Sequence, residues 1–308
     1  MFEIFSLLRV TCEPKVRVYS VVKILKSGII FFNKKPGVTS FDALRDIKRF
    51  LGTKKVGHTG TLDKFASGLL IVLAGKALKL SQWFTNCDKK YIGKIRFGIE
   101  TDTLDPEGVV IAEADLPSRE KTEQVLAQFT GEILQAPPAY SAIHINGKRA
   151  SDLARSGIQP EMKKRPVTIY ELKLLSFESP FAEIFVHCSS GTYIRSLARD
   201  IALAAGSRAH LTALKRTNVG NFNNIEENVP AGEYKLNPIN ESIISALGMK
   251  CINVEPQMAL HVFNGKPLSQ ILDEKGKGIY GLFSDGALIA VVKNDDSGWK
   301  YECVLNNT

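Results

Sequence analysis

An unbroken apolar run over residues 69–74 directly follows a loop of small residues that carries a single carboxylate. The loop begins with Gly-His-Thr-Gly-Thr-Leu-Asp, residues 57–63, and continues through residue 68. A short, continuous apolar run between glycine-containing loops is typical of a fully buried strand. Asp63 is therefore expected to lie at the rim of a core, where a carboxylate has either a partner or a chemical role.

Strand and helix patterns alternate along residues 28–219. Residues 91–97 alternate apolar with polar side chains, as a strand with one face on a core requires. A helix is predicted to be capped by Ser40, to stop at Gly52 and to bury Phe41 with Leu44. The same signals predict further helices over 76–85, 118–130 and 194–205, and further strands over 28–33, 167–177, 183–188 and 211–219.

The two ends of the chain differ from this middle part. Residues 1–26 are interpreted as an N-terminal extension that is loosely packed or disordered. Residues 223–250 have weaker periodicity and are interpreted as a connection. Short strands and glycine turns fill residues 251–308, and this pattern predicts a small β-barrel.

The net charge of +8 favours a polyanionic partner, because basic surface attracts phosphate backbones and releases their counterions. Each basic cluster taken alone is more simply a solvated face. Several clusters near Tyr140 together favour a surface that binds a nucleic-acid backbone. The candidates for contact with that backbone are Lys35, Lys148, Arg149, Lys215 and Arg216.

Several classes of protein lack support in the sequence. The five cysteines and five histidines are scattered and show no metal-binding spacing, so neither a disulfide framework nor a metal site is expected. Free cysteines fit a reducing compartment, and a cytoplasmic location is expected. No apolar run approaches the roughly 20 residues that span a bilayer, so no membrane contact is expected. Hydrolase, P-loop and dinucleotide motifs are missing. The loop that holds Asp102 and Asp105 is interpreted as turn chemistry rather than a cation site.

Asp63 leaves two interpretations open on the residues alone. An arginine such as Arg195 would keep the carboxylate ionised, and an aromatic face such as Tyr91 or Tyr193 stacks on a base taken out of its helix. The alternative is a structural salt bridge beside two core tyrosines.

A series of motifs, in order over residues 28–220, resembles the tRNA pseudouridine synthases of the TruB type. The motifs are residues 57–70, Lys90-Tyr91, Thr101-Asp102-Thr103, residues 137–142, residues 146–149 and residues 191–195. The resemblance implies a mixed α/β (α+β) catalytic domain over 27–235, with a long, mainly antiparallel sheet and an RNA-facing insertion at about 101–165. The tail, 251–308, is similar to a PUA-type RNA-binding barrel.

The resemblance also implies an activity: conversion of the uridine at position 55 in the T-loop of tRNA to pseudouridine, without metal or cofactor. Its partner would be the T-arm and elbow of tRNA, and a cytoplasmic monomer is expected. The implied roles are Asp63 as the essential carboxylate, Tyr91 stacking on the flipped base, Tyr193 lining the pocket, Arg195 pairing with Asp63, Leu214 as pocket wall and His58 filling the space that the base leaves.

Three questions stay open at this point. The carboxylate could attack C6 of the base, attack C1′ of the sugar or remove a sugar proton. The rivals to an RNA isomerase are a catalytically silent tRNA-binding or tRNA-folding protein that uses the same surface, and a small-molecule hydrolase. Lys64 stands where the family usually has proline, and its side chain is predicted to face solvent.

Overall fold

The computed structural model describes residues 27–223, 234–273 and 276–305. The predicted extension 1–26 lies outside them. The strands in chain order are β1 (Gly28–Lys34), β2 (Val56–His58), β3 (Ser67–Ala74), β4 (Lys89–Phe97), β5 (Ile99–Thr101), β6 (Val110–Glu113), β7 (Gly131–Gln135), β8 (His144–Ile145), β9 (Lys148–Arg149), β10 (Arg165–Glu178), β11 (Phe181–Cys188), β12 (Ala209–Val219), β13 (Lys250–Asn253), β14 (Gly278–Ser284), β15 (Ala287–Asp295) and β16 (Gly298–Val304). The α-helices are α1 (Ser40–Leu51), α2 (Ser81–Asn86), α3 (Arg119–Leu126), α4 (Ala150–Arg155), α5 (Ile194–Ala204), α6 (Glu241–Ala246) and α7 (Pro256–Phe263). None of the helices in these ranges is long and apolar enough to cross a membrane.

An eight-stranded sheet forms the larger part of the fold. Its order is β1-β3-β12-β4-β11-β10-β7, and β2 pairs with β3. Every pairing is antiparallel except that of β12 with β3, which is parallel. This confirms the mixed α/β fold with a long, mainly antiparallel sheet.

Strand β3 is buried on both faces, as its apolar run predicts. Leu70 and Val72 belong to the core that includes α1 and α5, whereas Leu69, Ile71 and Leu73 belong to a second core. Because successive side chains of a strand point to opposite faces, a strand between two cores has no position for a polar residue. Asp63 therefore lies in the loop just before the most deeply buried strand.

The second core is shared with the C-terminal part of the chain. Strands β13 to β16 form a four-stranded sheet, from which Phe283, Leu288 and Val291 pack into the same cluster as Leu69 and Ile71. The interpretation of 223–250 as a mere connection was incomplete, because α6 lies in it and buries Ile243 and Ile244 in this cluster. Helix α7 was also missed in a unit for which only strands were predicted.

Deletion of residues 251–308 is expected to destabilise the remaining protein. The deletion uncovers the apolar face of β1 and β3, and a buried aliphatic or aromatic side chain contributes about 1.5–3 kcal/mol each. We expect a loss of about 5 kcal/mol or more in the free energy of unfolding, measured in urea against the full chain. An unfolding curve that coincides with that of the full chain would show that the two sheets are energetically independent.

Helix α1 differs at its start from the sequence prediction. Its N-cap is Thr39, whose hydroxyl accepts the Asp42 N–H at 3.1 Å. Ser40 is buried instead, and its hydroxyl donates to the Leu62 carbonyl and accepts the Leu62 N–H, both at 3.0 Å. The placement of Phe41 in the core was wrong: its side chain is exposed, because the buried face contains Ser40, Ala43, Leu44 and Ile47. Gly52 ends the helix in the left-handed region, as predicted.

Candidate active site

The main chain around Asp63 is fixed by contacts from α1 and β3 and by a bond within the loop. The Ser40 hydroxyl of α1 bonds to both the N–H and the carbonyl of Leu62. The Thr59 N–H donates to the Ile71 carbonyl of β3 at 3.0 Å, and the Ala66 N–H donates to the Asp63 carbonyl at 3.1 Å. The Asp63 side chain is nevertheless about one-third exposed (35%), so a ligand can reach its carboxylate.

A fully buried lysine at the end of β1 supports the same loop. The Nζ of Lys34 donates to the carbonyls of Lys35 (3.0 Å), Lys64 (3.2 Å) and Ala66 (2.6 Å). Burial lowers the pKa of Lys34 to about 8, although the nearby Asp63 carboxylate opposes this shift. Lys34 was not among the predicted site residues, whereas its neighbour Lys35, which is exposed, was. The available signal was its position at the end of a buried strand, where a side chain is drawn into the core.

Arg195, in the first turn of α5, pairs with Asp63 as expected. It donates from Nε to Asp63 Oδ2 and from Nη2 to Asp63 Oδ1, both at 3.0 Å. Nη2 also donates to the Tyr140 carbonyl at 3.0 Å, and Nη1 donates to the Thr103 carbonyl at 2.7 Å and to Asp105 Oδ2 at 3.4 Å. All five N–H groups of this buried guanidinium thus have acceptors. Its orientation is set by the protein before any ligand arrives.

Asp105 belongs to this network, which the turn interpretation of its loop did not include. Its Oδ1 accepts the Thr103 hydroxyl at 2.6 Å and the Glu107 N–H at 3.0 Å, as turn chemistry requires. Its Oδ2 is left to face Arg195. Leu104 has a left-handed backbone (φ 61°), and its carbonyl accepts the Leu211 N–H of β12 at 3.1 Å. The turn is therefore stabilised by its own hydrogen bonds, and it also places the Asp105 carboxylate beside Arg195.

The surroundings of Asp63 shift its pKa in opposite directions. Burial raises the pKa of Asp63, and the neighbouring Asp105 carboxylate acts in the same direction. Arg195 and Lys34 favour the ionised form and limit the rise in pKa. The result is a carboxylate that is held in a defined orientation and is more basic than an ordinary aspartate.

Tyr91 and Leu214 lie on neighbouring strands of the core face. Tyr91 of β4 is buried, and burial raises its pKa against the opposing effect of the Arg216 charge. Leu214 of β12 pairs with Gly93 of β4. Because glycine has no side chain, the Leu214 side chain can lie over the backbone of β4 at this position. Both residues line the same core cluster, at the side of the sheet that carries α5.

Hydrogen bonds hold the backbone of Tyr193 and the ring of His58. Gln135, itself buried, accepts the Tyr193 N–H at 2.8 Å and donates to the Tyr193 carbonyl at 3.1 Å. The guanidinium of Arg165 lies 5.1 Å from the centre of the Tyr193 ring. His58 ends β2, and its Nδ1 accepts the Gly60 N–H at 3.3 Å. Burial and the Arg216 charge lower the pKa of His58, so its ring is neutral near pH 7.

The prediction that Arg216 contacts an RNA backbone was wrong. Arg216 is 2% exposed, and it donates from Nε to the Leu69 carbonyl at 2.7 Å and from Nη2 to the Gly60 carbonyl at 3.1 Å. The reason is the parallel pairing of β12 with β3, which brings Arg216 opposite Gly68. A Cβ at Gly68 would lie 2.2 Å from the Arg216 carbonyl oxygen, so this approach requires glycine. Lys35, Lys148, Arg149 and Lys215 are exposed, and their contact with RNA stays a prediction.

The Lys64 side chain is about half exposed, in agreement with the prediction that it faces solvent. Its Nζ lies 2.8 Å from Glu107 Oε1, in the same turn that contains Asp105. Two links therefore join the Asp63 loop to this turn: one buried, through Arg195, and one at the surface, through Lys64.

Solved structures share this fold. The archaeal box H/ACA sRNP Nop10–Cbf5 complex contains a chain that matches with a TM-score of 0.63 over 92% of this chain and 87% of that one, at 23% identity. A Cbf5–Nop10–Gar1 complex contains a chain that matches with a TM-score of 0.61 over 87% of this chain and 78% of that one, at 26% identity. The combined large and small sheets are thus a known arrangement.

Sequence comparison identifies the family. Residues 48–194 match the family described as TruB family pseudouridylate synthase (N terminal domain). The tRNA pseudouridine synthase B of Borreliella burgdorferi (strain ZS7) is 49% identical over 201 residues, which are 64% of this chain and 71% of that protein. The tRNA pseudouridine synthase B of Francisella tularensis subsp. tularensis (strain WY96-3418) is 40% identical over 264 residues, which are 84% of each chain. The chain therefore belongs to the TruB family of tRNA pseudouridine synthases, which are isomerases.

Proposed function

We propose that the protein isomerises uridine to pseudouridine at position 55 in the T-loop of tRNA, with Asp63 as the essential carboxylate. The observation that carries the proposal is the bidentate pair of Asp63 with a fully engaged Arg195, which leaves the carboxylate oriented and still accessible. An ion pair that only stabilised the fold would not need an accessible carboxylate.

The reaction defines what each residue must do. Uracil is detached from C1′ at N1, rotated and rejoined through C5, and the C5 proton is released. The detached base must be held, and Tyr91 with Leu214 provides an aromatic and aliphatic surface for it. Tyr193 closes the pocket beside α5. Neutral His58 is suited to fill the space that a flipped base leaves, because an uncharged ring costs less to bury among bases.

Asp63 supplies the charge for this step. As a carboxylate it attacks C6 of the base, attacks C1′ of the sugar or removes a sugar proton; each role requires the ionised form. The bond to Arg195 keeps that form populated despite burial, and the fixed guanidinium prevents the carboxylate from rotating away. The energy that flips the uridine is provided by phosphate contacts, for which Lys35, Lys148, Arg149 and Lys215 are the exposed candidates.

Tritium release tests the proposal directly. Unmodified tRNA carrying uridine tritiated at C5 is incubated with the protein, and tritium in water is counted. We expect about one tritium per tRNA from position 55, and none from position 55 of a tRNA with cytidine there. Binding of the tRNA without any release would support the rival, a catalytically silent tRNA-binding protein. Turnover of a small ester or amide without RNA would support a hydrolase.

The rate of isomerisation is expected to fall at both ends of the pH range. Because the pKa of Asp63 is raised, activity is lost as the pH falls through a value above the ordinary aspartate pKa of about 3.9. Lys34 loses its proton as the pH rises through about 8, and the neutral amine can donate to only two of its three carbonyls. We expect a second decline there, measured as the single-turnover rate on a T-arm RNA.

Lys34→Met is the control for this profile. It is expected to remove the decline near pH 8 and to give a lower plateau rate, because the loop loses its buried support. The acid limb is expected to remain and to move to higher pH, because Asp63 loses a nearby cation that lowers its pKa. An acid limb centred at or below about pH 3.9 would contradict the role given to burial around Asp63.

A further inference from the structure

The surface ion pair between Lys64 and Glu107 stands at the rim of the Asp63 site. Its side chains are about half exposed, at 49% and 47%, and Nζ lies 2.8 Å from Oε1. The ammonium belongs to the residue that directly follows Asp63, the carboxylate proposed to act on RNA.

The backbones of Lys64 and Glu107 are held in place by bonds other than this ion pair. The Lys64 carbonyl accepts the Lys34 ammonium and the Gly37 N–H at 2.8 Å. The Glu107 N–H donates to Asp105 Oδ1. Arg195 joins the two loops underneath. The side chains of Lys64 and Glu107 can therefore separate without moving the site.

Electrostatics favours that separation when RNA arrives. While Glu107 is paired with Lys64, it neutralises the charge that the ammonium would otherwise offer to a phosphate. Exposed pairs of this kind contribute at most about a fivefold change in an equilibrium constant. A backbone phosphate that releases its counterion competes well against so weak a partner.

We propose that Glu107 masks Lys64 in the free protein, and that on tRNA binding the Lys64 ammonium leaves Glu107 for a phosphate of the RNA backbone. Lys64 is on this view an RNA-binding residue and Glu107 an internal competitor of the RNA. The inference rests on the proposed function, because it takes tRNA as the ligand of the Asp63 site.

The test compares Lys64→Gln, Glu107→Gln and the double variant. The dissociation constant of a T-arm RNA that already contains pseudouridine is measured by fluorescence anisotropy at several salt concentrations, so that no turnover occurs. Glu107→Gln is expected to tighten binding by about two- to fivefold at low salt. Lys64→Gln is expected to weaken binding and to reduce the slope of log Kd against log salt by about 0.7–0.9, the value for one phosphate. The double variant is expected to bind like Lys64→Gln.

Matched controls come from the Lys173–Glu171 ion pair of β10. Glu171 lies opposite His187, next to the partner of Tyr91 in β11, so alternation places this pair on the sheet face away from Tyr91. Glu171→Gln and Lys173→Gln make the same changes in net charge and are expected to leave the dissociation constant within about 1.5-fold.

Three outcomes overturn the proposal. Glu107→Gln could leave binding unchanged, or could tighten it equally with and without Lys64, which would be a general charge effect. Both single variants could instead lower the single-turnover rate with no change in affinity, which would make the pair a structural tether. If the wild-type protein releases no tritium from position 55, the proposed function fails instead, whatever the binding data show.

Discussion

Replacement of Asp63 by asparagine is expected to reduce the single-turnover rate of isomerisation by at least about 10⁴-fold, while the dissociation constant of tRNA changes by less than about threefold. The amide has the same shape and its oxygen can still accept one hydrogen bond from Arg195. It has no negative charge, so it can neither attack carbon nor take a proton at neutral pH. Tritium release under excess enzyme measures the rate, and filter binding measures the affinity.

Asp200→Asn is the matched control for this variant. Asp200 is a partly buried carboxylate on the same helix as Arg195, it pairs with Arg199 at 2.8 Å, and burial raises its pKa as it does for Asp63. Its substitution makes the same chemical change outside the site and is expected to leave the rate within about twofold. Residual turnover by Asp63→Asn close to that of the wild type would assign the chemistry to another group.

The large sheet was predictable because its strands follow simple hydrophobic patterns. The run that becomes β3 contains no polar residue, and a chain segment without polar residues has to be covered on both faces. Residues 91–97 alternate, and β4 accordingly turns one face to the core. Local periodicity reports how many faces of an element are covered, but not which element covers them. The joint core of β3 with Phe283 and Leu288 therefore could not be predicted from the pattern.

The polar half of the site was only partly predictable for a related reason. Asp63 and Arg195 are separated by 132 residues, and the residues alone left the role of such a pair open until the resemblance was considered. Lys34, Asp105 and Arg216 carry charges, and composition alone favours the surface for them. Each is buried because backbone carbonyls or an opposite charge meet it in the folded chain. Such compensation is made by distant segments, so no local pattern announces it.

Arg195 separates the contribution of charge from that of geometry. In Arg195→Met, Asp63 loses the cation that lowers its pKa, and Asp105 loses a partner as well. We expect a rate loss of about 10³-fold at pH 7 and a shift of the acid limb to higher pH, since removing one partner of a buried ion pair costs about 3–5 kcal/mol. Thermal unfolding of the variant is measured alongside, because the same cost falls on stability.

Arg195→Lys keeps the charge and loses the geometry. A lysine has three donors on one nitrogen and cannot span both oxygens of Asp63 while also reaching the carbonyls of Thr103 and Tyr140. We expect a rate about 10- to 100-fold below the wild type, with the acid limb close to its original pH, because a cation still faces the carboxylate. A large loss of tRNA affinity with an unchanged rate for bound RNA would instead make Arg195 a phosphate contact. Its complete burial under five acceptors argues for the first outcome, since a guanidinium with no free N–H has none to offer a phosphate.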